Sequence, residues 1–207
     1  IVTADNDSMV FKFYNIANSL RDNFKIFPAS KKLRLTAIIE GFYNENSNLM
    51  ITDTLKVILR SDNYPYSIID SAKGFMNDTG FVVLNFQKAD NVTGYYIVLK
   101  HRNSVETWSQ TGNSFTVNSM NYNFTSAQTN AYGNNLVFKG TKYCVYSGDV
   151  DYDGVIDGSD MSNVENSVAN SETGYINSDV NGDSFADAGD LSIVENNSFA
   201  SVITIRP

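Results

Sequence analysis

Asp149, Asp151, Asp153, Asp157 and Asp160 stand at positions 1, 3, 5, 9 and 12 of a twelve-residue segment. Asp179, Asn181, Asp183, Asp187 and Asp190 occupy the same positions of a second segment, thirty residues later. Oxygen side chains at this spacing, with the backbone carbonyls of Val155 and Phe185 at position 7, make the ligand set of a calcium loop. Ca²⁺ is a hard cation that takes roughly 6–8 oxygens at about 2.3–2.6 Å. A short loop wraps it only if alternate side chains turn inward and the backbone bends sharply midway. Two such loops predict two Ca²⁺ ions.

Gly154 stands at position 6, where the bend calls for a positive φ; the second loop has Ser184 there, which predicts a weaker or slightly deformed second site. Position 12 is Asp in both copies, where an EF-hand uses a longer Glu. The likeness continues past the loops: Met161, Val164, Glu165 and Asn166 match Leu191, Val194, Glu195 and Asn196. Apolar residues at i and i+3 predict a short helix after each loop, its inner face packed on its twin. This duplicated loop and helix with Asp at position 12 resembles the dockerin module of bacterial extracellular proteins, over roughly residues 148–199. The resemblance implies calcium ligation by the residues named and a cohesin-like protein partner. It assigns partner reading to positions 10 and 11, here Gly158-Ser159 and Ala188-Gly189, which are small and differ between the copies.

Charge is partitioned to match. Residues 148–207 hold twelve Asp and Glu and one basic residue, Arg206, whereas the whole chain carries −8. A segment this acidic repels itself, so metal binding is expected to be a condition of its folding. No cluster of Lys and Arg interleaved with aromatics occurs, which argues against nucleic acid. No apolar run is long enough to span a bilayer. Cys144 is the single cysteine, which rules out a disulfide within the chain, and it sits in an apolar alternating run as a small hydrophobe. The chain starts at Ile1 with no signal peptide, so it reads as a processed chain or a fragment of a secreted protein, expected at the bacterial cell surface. Sequons such as Asn91-Val-Thr93 and Asn123-Phe-Thr125 carry little weight in so Asn-rich a chain.

The elements that must support the loops read as mainly β: a β-sandwich domain over 31–147, followed by the small helical module over 148–207. Expected strands are Leu33–Glu40, Thr54–Arg60, Ser67–Phe75, Phe81–Phe86, Tyr95–Arg102, Ser114–Asn118 and Leu136–Tyr146. Leu33, Leu35, Ala37 and Ile39 alternate with Arg34, Thr36 and Glu40, and Leu55, Val57 and Leu59 alternate with Lys56 and Arg60. Asn77-Asp78-Thr79-Gly80 signals a hairpin. The strand pattern resembles the prealbumin-like modules of bacterial surface proteins.

Residues 1–30 read as an extension: Val10–Tyr14 as a strand, Ile16–Phe24 as one or two helical turns, and Phe27-Pro28-Ala29-Ser30 as a boundary. The strand is expected either to add to the edge of its own domain or to be donated to a neighbouring subunit. Val202–Ile205 alternates as a short strand returning to the sandwich. Only Ser147-Gly148 separate the strand residues Lys142–Tyr146 from Asp149, so the calcium module is expected to dock rigidly on the sandwich.

Catalytic chemistry finds no support. His101 is the only histidine, set among charged strand neighbours, and there is no nucleophile elbow, phosphate-binding glycine loop or zinc spacing. Trp108 and the Tyr- and Asn-rich stretch 120–132 could stack on a sugar. The expected function is a non-catalytic, calcium-binding module for surface attachment or extracellular assembly through protein contacts. The alternatives are a subunit of a self-assembling fibre or layer, in contact with other copies of itself, and a polysaccharide-binding module.

Overall fold

Leu33 and Leu35 turn inward while Lys32 and Arg34 stay exposed, and this period of two is what makes the first strand of the larger unit. The structure, a computed structural model, describes residues 1–4, 9–26 and 29–207. Two compact units result, Ile1–Ser30 and Lys31–Pro207. The first is an antiparallel meander of β1 (Val2–Ala4), β2 (Met9–Tyr14) and β3 (Leu20–Ile26). The helical turns expected over Ile16–Phe24 are instead a reversal, with Asn18 at φ +60, and a strand. Arg21, Asp22 and Asn23 alternate too weakly in hydropathy for strand pairing to be seen in sequence. Of the expected boundary, Phe27 and Pro28 lie outside the described residues.

The second unit runs β4 (Lys31–Thr36), β5 (Tyr43–Asn44), β6 (Leu49–Met50), β7 (Asp53–Ser61), β8 (Ile68–Met76), β9 (Phe81–Phe86), β10 (Tyr95–His101), β11 (Ser104–Trp108), β12 (Ser119–Asn123), β13 (Val137–Lys139) and β14 (Lys142–Cys144). Two helices follow, α1 (Gly158–Ala169) and α2 (Ala188–Phe199). One sheet has the order β11–β10–β7–β8, all antiparallel. The other is β12–β4–β9, with β4 parallel to β12 and antiparallel to β9. Leu55, Val57, Leu59, Ile97 and Leu99 of the first sheet face Leu33, Leu35, Val82, Leu84 and Phe86 of the second in one core. All ten are at most 3% exposed, and each such burial stabilises by roughly 1.5–3 kcal/mol. The fold is a β-sandwich carrying a small helical module.

Several strands differ from expectation for local reasons. The Asn77–Gly80 turn forms, with Asn77 Oδ1 accepting the N–H groups of Thr79 and Phe81, but it carries the chain from one sheet to the other. Val117 and Asn118 have positive φ, so Ser114–Asn118 ends in a turn and the strand starts only at Ser119. Gly140 at φ +58 folds the expected strand Leu136–Tyr146 into the hairpin β13–β14. β11 is buried on both faces, polar Ser104, Glu106 and Thr107 included, and so shows no alternation.

Helix and sandwich meet closely. Val105 of β11 joins Val150, Ile156, Val164, Val180, Val194 and Val202 in a second core. A Cβ on Gly41 would collide with the Val180 carbonyl, so backbone packs directly on backbone there. Asn197 Nδ2 donates to Glu40 Oε2 and to the Ser147 carbonyl, both at 2.7 Å. No helix among the described residues is long and apolar enough to cross a membrane.

Candidate metal centre

Each acidic loop ends by starting its helix. Asp157 and Asp187, at position 9, are the N-caps of α1 and α2, accepting the N–H groups of Ser159 and Gly189. Asp160 and Asp190, at position 12, are the third helical residues and complete capping boxes by accepting from Asp157 N–H (3.0 Å) and Asp187 N–H (2.9 Å). Their other oxygens reach back to the loop starts. Asp160 Oδ1 accepts from the N–H groups of Val150 and Asp151, and Asp190 Oδ1 from those of Val180 and Asn181. Both are wholly buried, and burial raises both carboxyl pKa values against these bonds.

Inside the loops, short side chains fold the backbone through bonds to residues two further on. Asp151 accepts from Asp153 N–H, Asp153 from Val155 N–H, Asn181 from Asp183 N–H and Asp183 from Phe185 N–H. One oxygen each of Asp149, Asp151 and Asp153 lies within 4.8 Å of the others. Asp149 Oδ1 is buried and has no hydrogen-bond partner. Burial pushes the Asp149 carboxyl up to about 7, with Asp160, Asp153 and Asp151 adding repulsion and the Gly154 N–H opposing. An orphaned buried carboxylate oxygen facing a ring of acids fits a hard cation.

The two repeats exchange partners. Val155 of the first loop bridges Ile203 after α2, and Phe185 of the second bridges Thr173 after α1. Ile156 N–H donates to the Val202 carbonyl and Thr204 N–H to that of Gly154; Ala186 N–H donates to Glu172 and Gly174 N–H to Ser184 in the same pattern. These bonds run through the neighbours of Val155 and Phe185, whose own carbonyls take no part in them. The expected return of Val202–Ile205 to the sandwich as a strand is therefore corrected. The tail is the second repeat's counterpart of 172–175 and closes over the first loop. It touches the sandwich through side chains, as in Arg206 Nε to Glu106 Oε1 at 3.1 Å.

Each loop also bends twice into the left-handed region, at Tyr152 (φ +67) and Gly154 (φ +91) in one and Gly182 (φ +82) and Ser184 (φ +73) in the other. Glycine and non-glycine have swapped places, so backbone strain does not single out the second loop. The surroundings do distinguish them. Asp179 accepts from Gly182 N–H at 2.7 Å and from Arg102 Nη2 at 3.1 Å, while among the described residues no Lys or Arg pairs with Asp149. The same guanidinium donates from Nε to Asp53 Oδ2 and from Nη1 to the Ile176 carbonyl, and lies over the rings of Phe42 and Tyr175. Asp53 takes further bonds from Tyr175, Thr54 N–H and His101, which hold its carboxyl well below the usual range although burial works the other way. Nothing in the spacing around Arg102 marked this network in sequence; it follows from the strand end meeting the second loop.

His101 is buried between Asp53 and Asn103, at 3.1 Å from each. Trp108 is 3% exposed, with its indole N–H on Glu106 and Arg60 over its ring, so it is closed to a sugar.

Residues 147–197 match the dockerin type I domain. Dockerin domains bind calcium and are non-catalytic modules of protein–protein assembly. The chain is similar in fold to a chain of the type II cohesin–X–dockerin complex from Acetivibrio cellulolyticus carrying a C-terminal interface mutation. That likeness has TM-score 0.50 and 12% identity over 81% of this chain and 94% of that one, and so reaches beyond the dockerin segment into the sandwich. A chain of the corresponding N-terminal interface mutant is similar at TM-score 0.44 and 14% identity, over 81% and 92% of the two chains. No curated protein matches.

Proposed function

We propose that the chain is a secreted, non-catalytic assembly module that holds two Ca²⁺ ions and docks through residues 148–207 on a cohesin-like protein partner, anchoring its parent protein outside the cell. Asp149, Asp151, Asp153, Val155, Asp157 and Asp160 would hold one ion, and Asp179, Asn181, Asp183, Phe185, Asp187 and Asp190 the other. The ions would supply charge neutralisation for a segment dense in carboxylates. The observation that carries the reading is the reciprocal exchange Val155–Ile203 and Phe185–Thr173, which makes the two repeats a symmetric pair. It leaves Gly158, Ser159, Ala188 and Gly189 exposed at the helix starts, a low surface that admits a partner closely. In this reading 31–147 is a sandwich of prealbumin-like kinship that seats the calcium module through Gly41, Glu40 and Arg102. Residues 1–30 are a separate unit whose meander exposes Phe13, Tyr14 and Leu20, an arrangement that favours self-assembly as the second reading.

The experiment is solution mass by light scattering, in millimolar calcium and in chelator, with and without a type I cohesin and, separately, a type II cohesin. A one-to-one complex formed in calcium and lost in chelator supports docking. Large homomeric assemblies without cohesin support the second reading, and a chain that stays monomeric with cohesin present rejects cohesin as the partner.

A further inference from the structure

Lys73, Lys56 and Lys100 form a row across three adjacent strands. Lys56 pairs directly with Lys73 on β8 and with Lys100 on β10, so all three point from the outer face of the four-stranded sheet. Like charges placed directly opposite destabilise a sheet. Glu106 answers Lys100 at 2.9 Å but is shared with Arg206, and among the described residues no ion pair forms on Lys56 or Lys73. The row forms one wall of a cavity of about 380 Å³ whose opposite wall is the first calcium loop and the tail. Five of the chain's fifteen Lys and Arg residues gather there, Arg102 and Arg206 completing the set, in a protein that is acidic overall. Glu106 and Asp149 line it too, but Glu106 is held by Lys100 and Arg206, and Arg102 is turned to Asp53 and Asp179. The positive field available to an anion therefore centres on Lys56 and Lys73.

The lining says which anion. Tyr152 and Tyr175, 54% and 70% exposed, stand on the loop side and offer ring surface. Thr204 Oγ1 lines the same cavity, buried and without a hydrogen-bond partner. The cavity opens on a sheet face rather than an edge, so a peptide strand cannot add to it, and its lysine wall offers no apolar stripe for a helix. Aromatic surface, an unpartnered hydroxyl and cations together suit a sugar that bears a carboxylate. We propose that this cavity binds a uronate residue of an acidic polysaccharide, with Lys56 and Lys73 holding its carboxylate and Tyr152 and Tyr175 contacting the ring. Its lining leaves out Gly158, Ser159, Ala188 and Gly189, the residues given to protein docking, and the proposal does not depend on that reading.

The test is calorimetric titration of the full chain in millimolar calcium with a uronate trisaccharide, short enough not to gel with the metal. A neutral trisaccharide, inorganic phosphate and a short poly-aspartate peptide serve as comparisons. Saturable binding of the uronate alone, weakened about tenfold or more in the double variant Lys56→Gln/Lys73→Gln and retained in Lys56→Arg/Lys73→Arg, is the expected result. The Gln variant is expected to melt no lower than wild type, because it relieves the lysine row. Absence of uronate binding, equal affinity in the Gln variant, or equally tight binding of phosphate or peptide would overturn the proposal.

Discussion

Arg102 Nη2 donates to Asp179 Oδ2 at 3.1 Å, so the end of a sandwich strand meets the first residue of the second acidic loop. Its Nε lies 3.0 Å from Asp53, and both carboxylates are at most 4% exposed. Removing the guanidinium leaves two buried anions facing each other's neighbourhood. Arg102→Gln is therefore expected to lower stability in chelator by about 3–5 kcal/mol, and by less in calcium, where the metal can take over Asp179. Arg102→Lys recovers only part, because an ammonium cannot fork to Asp53, Asp179 and the Ile176 carbonyl together. Urea denaturation of both variants checks this; wild-type midpoints would show the network to be incidental.

Asp149 and Asp160 belong to one loop but act differently in the fold. Asp149 Oδ1 has no partner, whereas Asp160 accepts three backbone N–H groups and closes the capping box of α1. In calcium, Asp149→Asn and Asp160→Ala should both lower Tm. In chelator, Asp149→Asn should leave Tm unchanged or raise it, since a buried unpaired charge is gone. Asp160→Ala should still destabilise, by about 1–3 kcal/mol, because the Val150, Asp151 and Asp157 N–H groups lose their acceptor. Equal behaviour of the two in chelator would refute the distinction.

The two acidic loops were readable because their oxygen side chains recur at a spacing within twelve residues, and the capping aspartates sit in the same window. β4 and β7 were readable because one face is buried and the other wet. β11 was not, since a strand enclosed on both faces loses its period, and neither was the turn at Val117-Asn118, which puts non-glycine residues at positive φ. Arg102, Asp53 and Tyr175 come together only through tertiary packing, so no local pattern points to them. The lysine row needed strand register, which sequence alone leaves open.

Acid should have opposite effects with and without metal. In the metal-free fold the Asp149 carboxyl is raised to about 7 from its ordinary 3.8, and Asp160, Asp190 and Glu40 are raised as well, burial being the first cause in each. A carboxyl with a raised folded pKa binds its proton more tightly in the fold, so its stabilising effect is present at low pH. That effect is lost as pH rises from about 4 through about 7. In chelator, Tm should rise as pH is lowered from about 7.5 to about 5. In calcium the proton competes with the metal, and Tm should fall over the same range. Asp53, whose carboxyl is held low, titrates below this window and does not offset the trend. Melting scans across pH in both conditions decide it, and parallel slopes would reject the argument.

The two calcium sites should differ, the second being weaker, for reasons other than Ser184. Both loops carry one non-glycine at positive φ, Tyr152 in the first and Ser184 in the second, so strain of about 1–2 kcal/mol is common to both. Charge separates them. The first loop offers five aspartates, whereas the second replaces one with Asn181 and has the Arg102 cation already on Asp179. Fewer anionic ligands and a competing cation both lower calcium affinity. Titration calorimetry should resolve a tighter and a weaker step. The tighter should disappear in Asp153→Asn and the weaker in Asp183→Asn, two exposed aspartates at position 5 whose replacement spares the helix caps. Ser184→Gly should then strengthen the second site no more than Tyr152→Gly strengthens the first. Loss of the tighter step in Asp183→Asn would reverse the assignment and show that Arg102 prepares the second loop for the metal rather than opposing it.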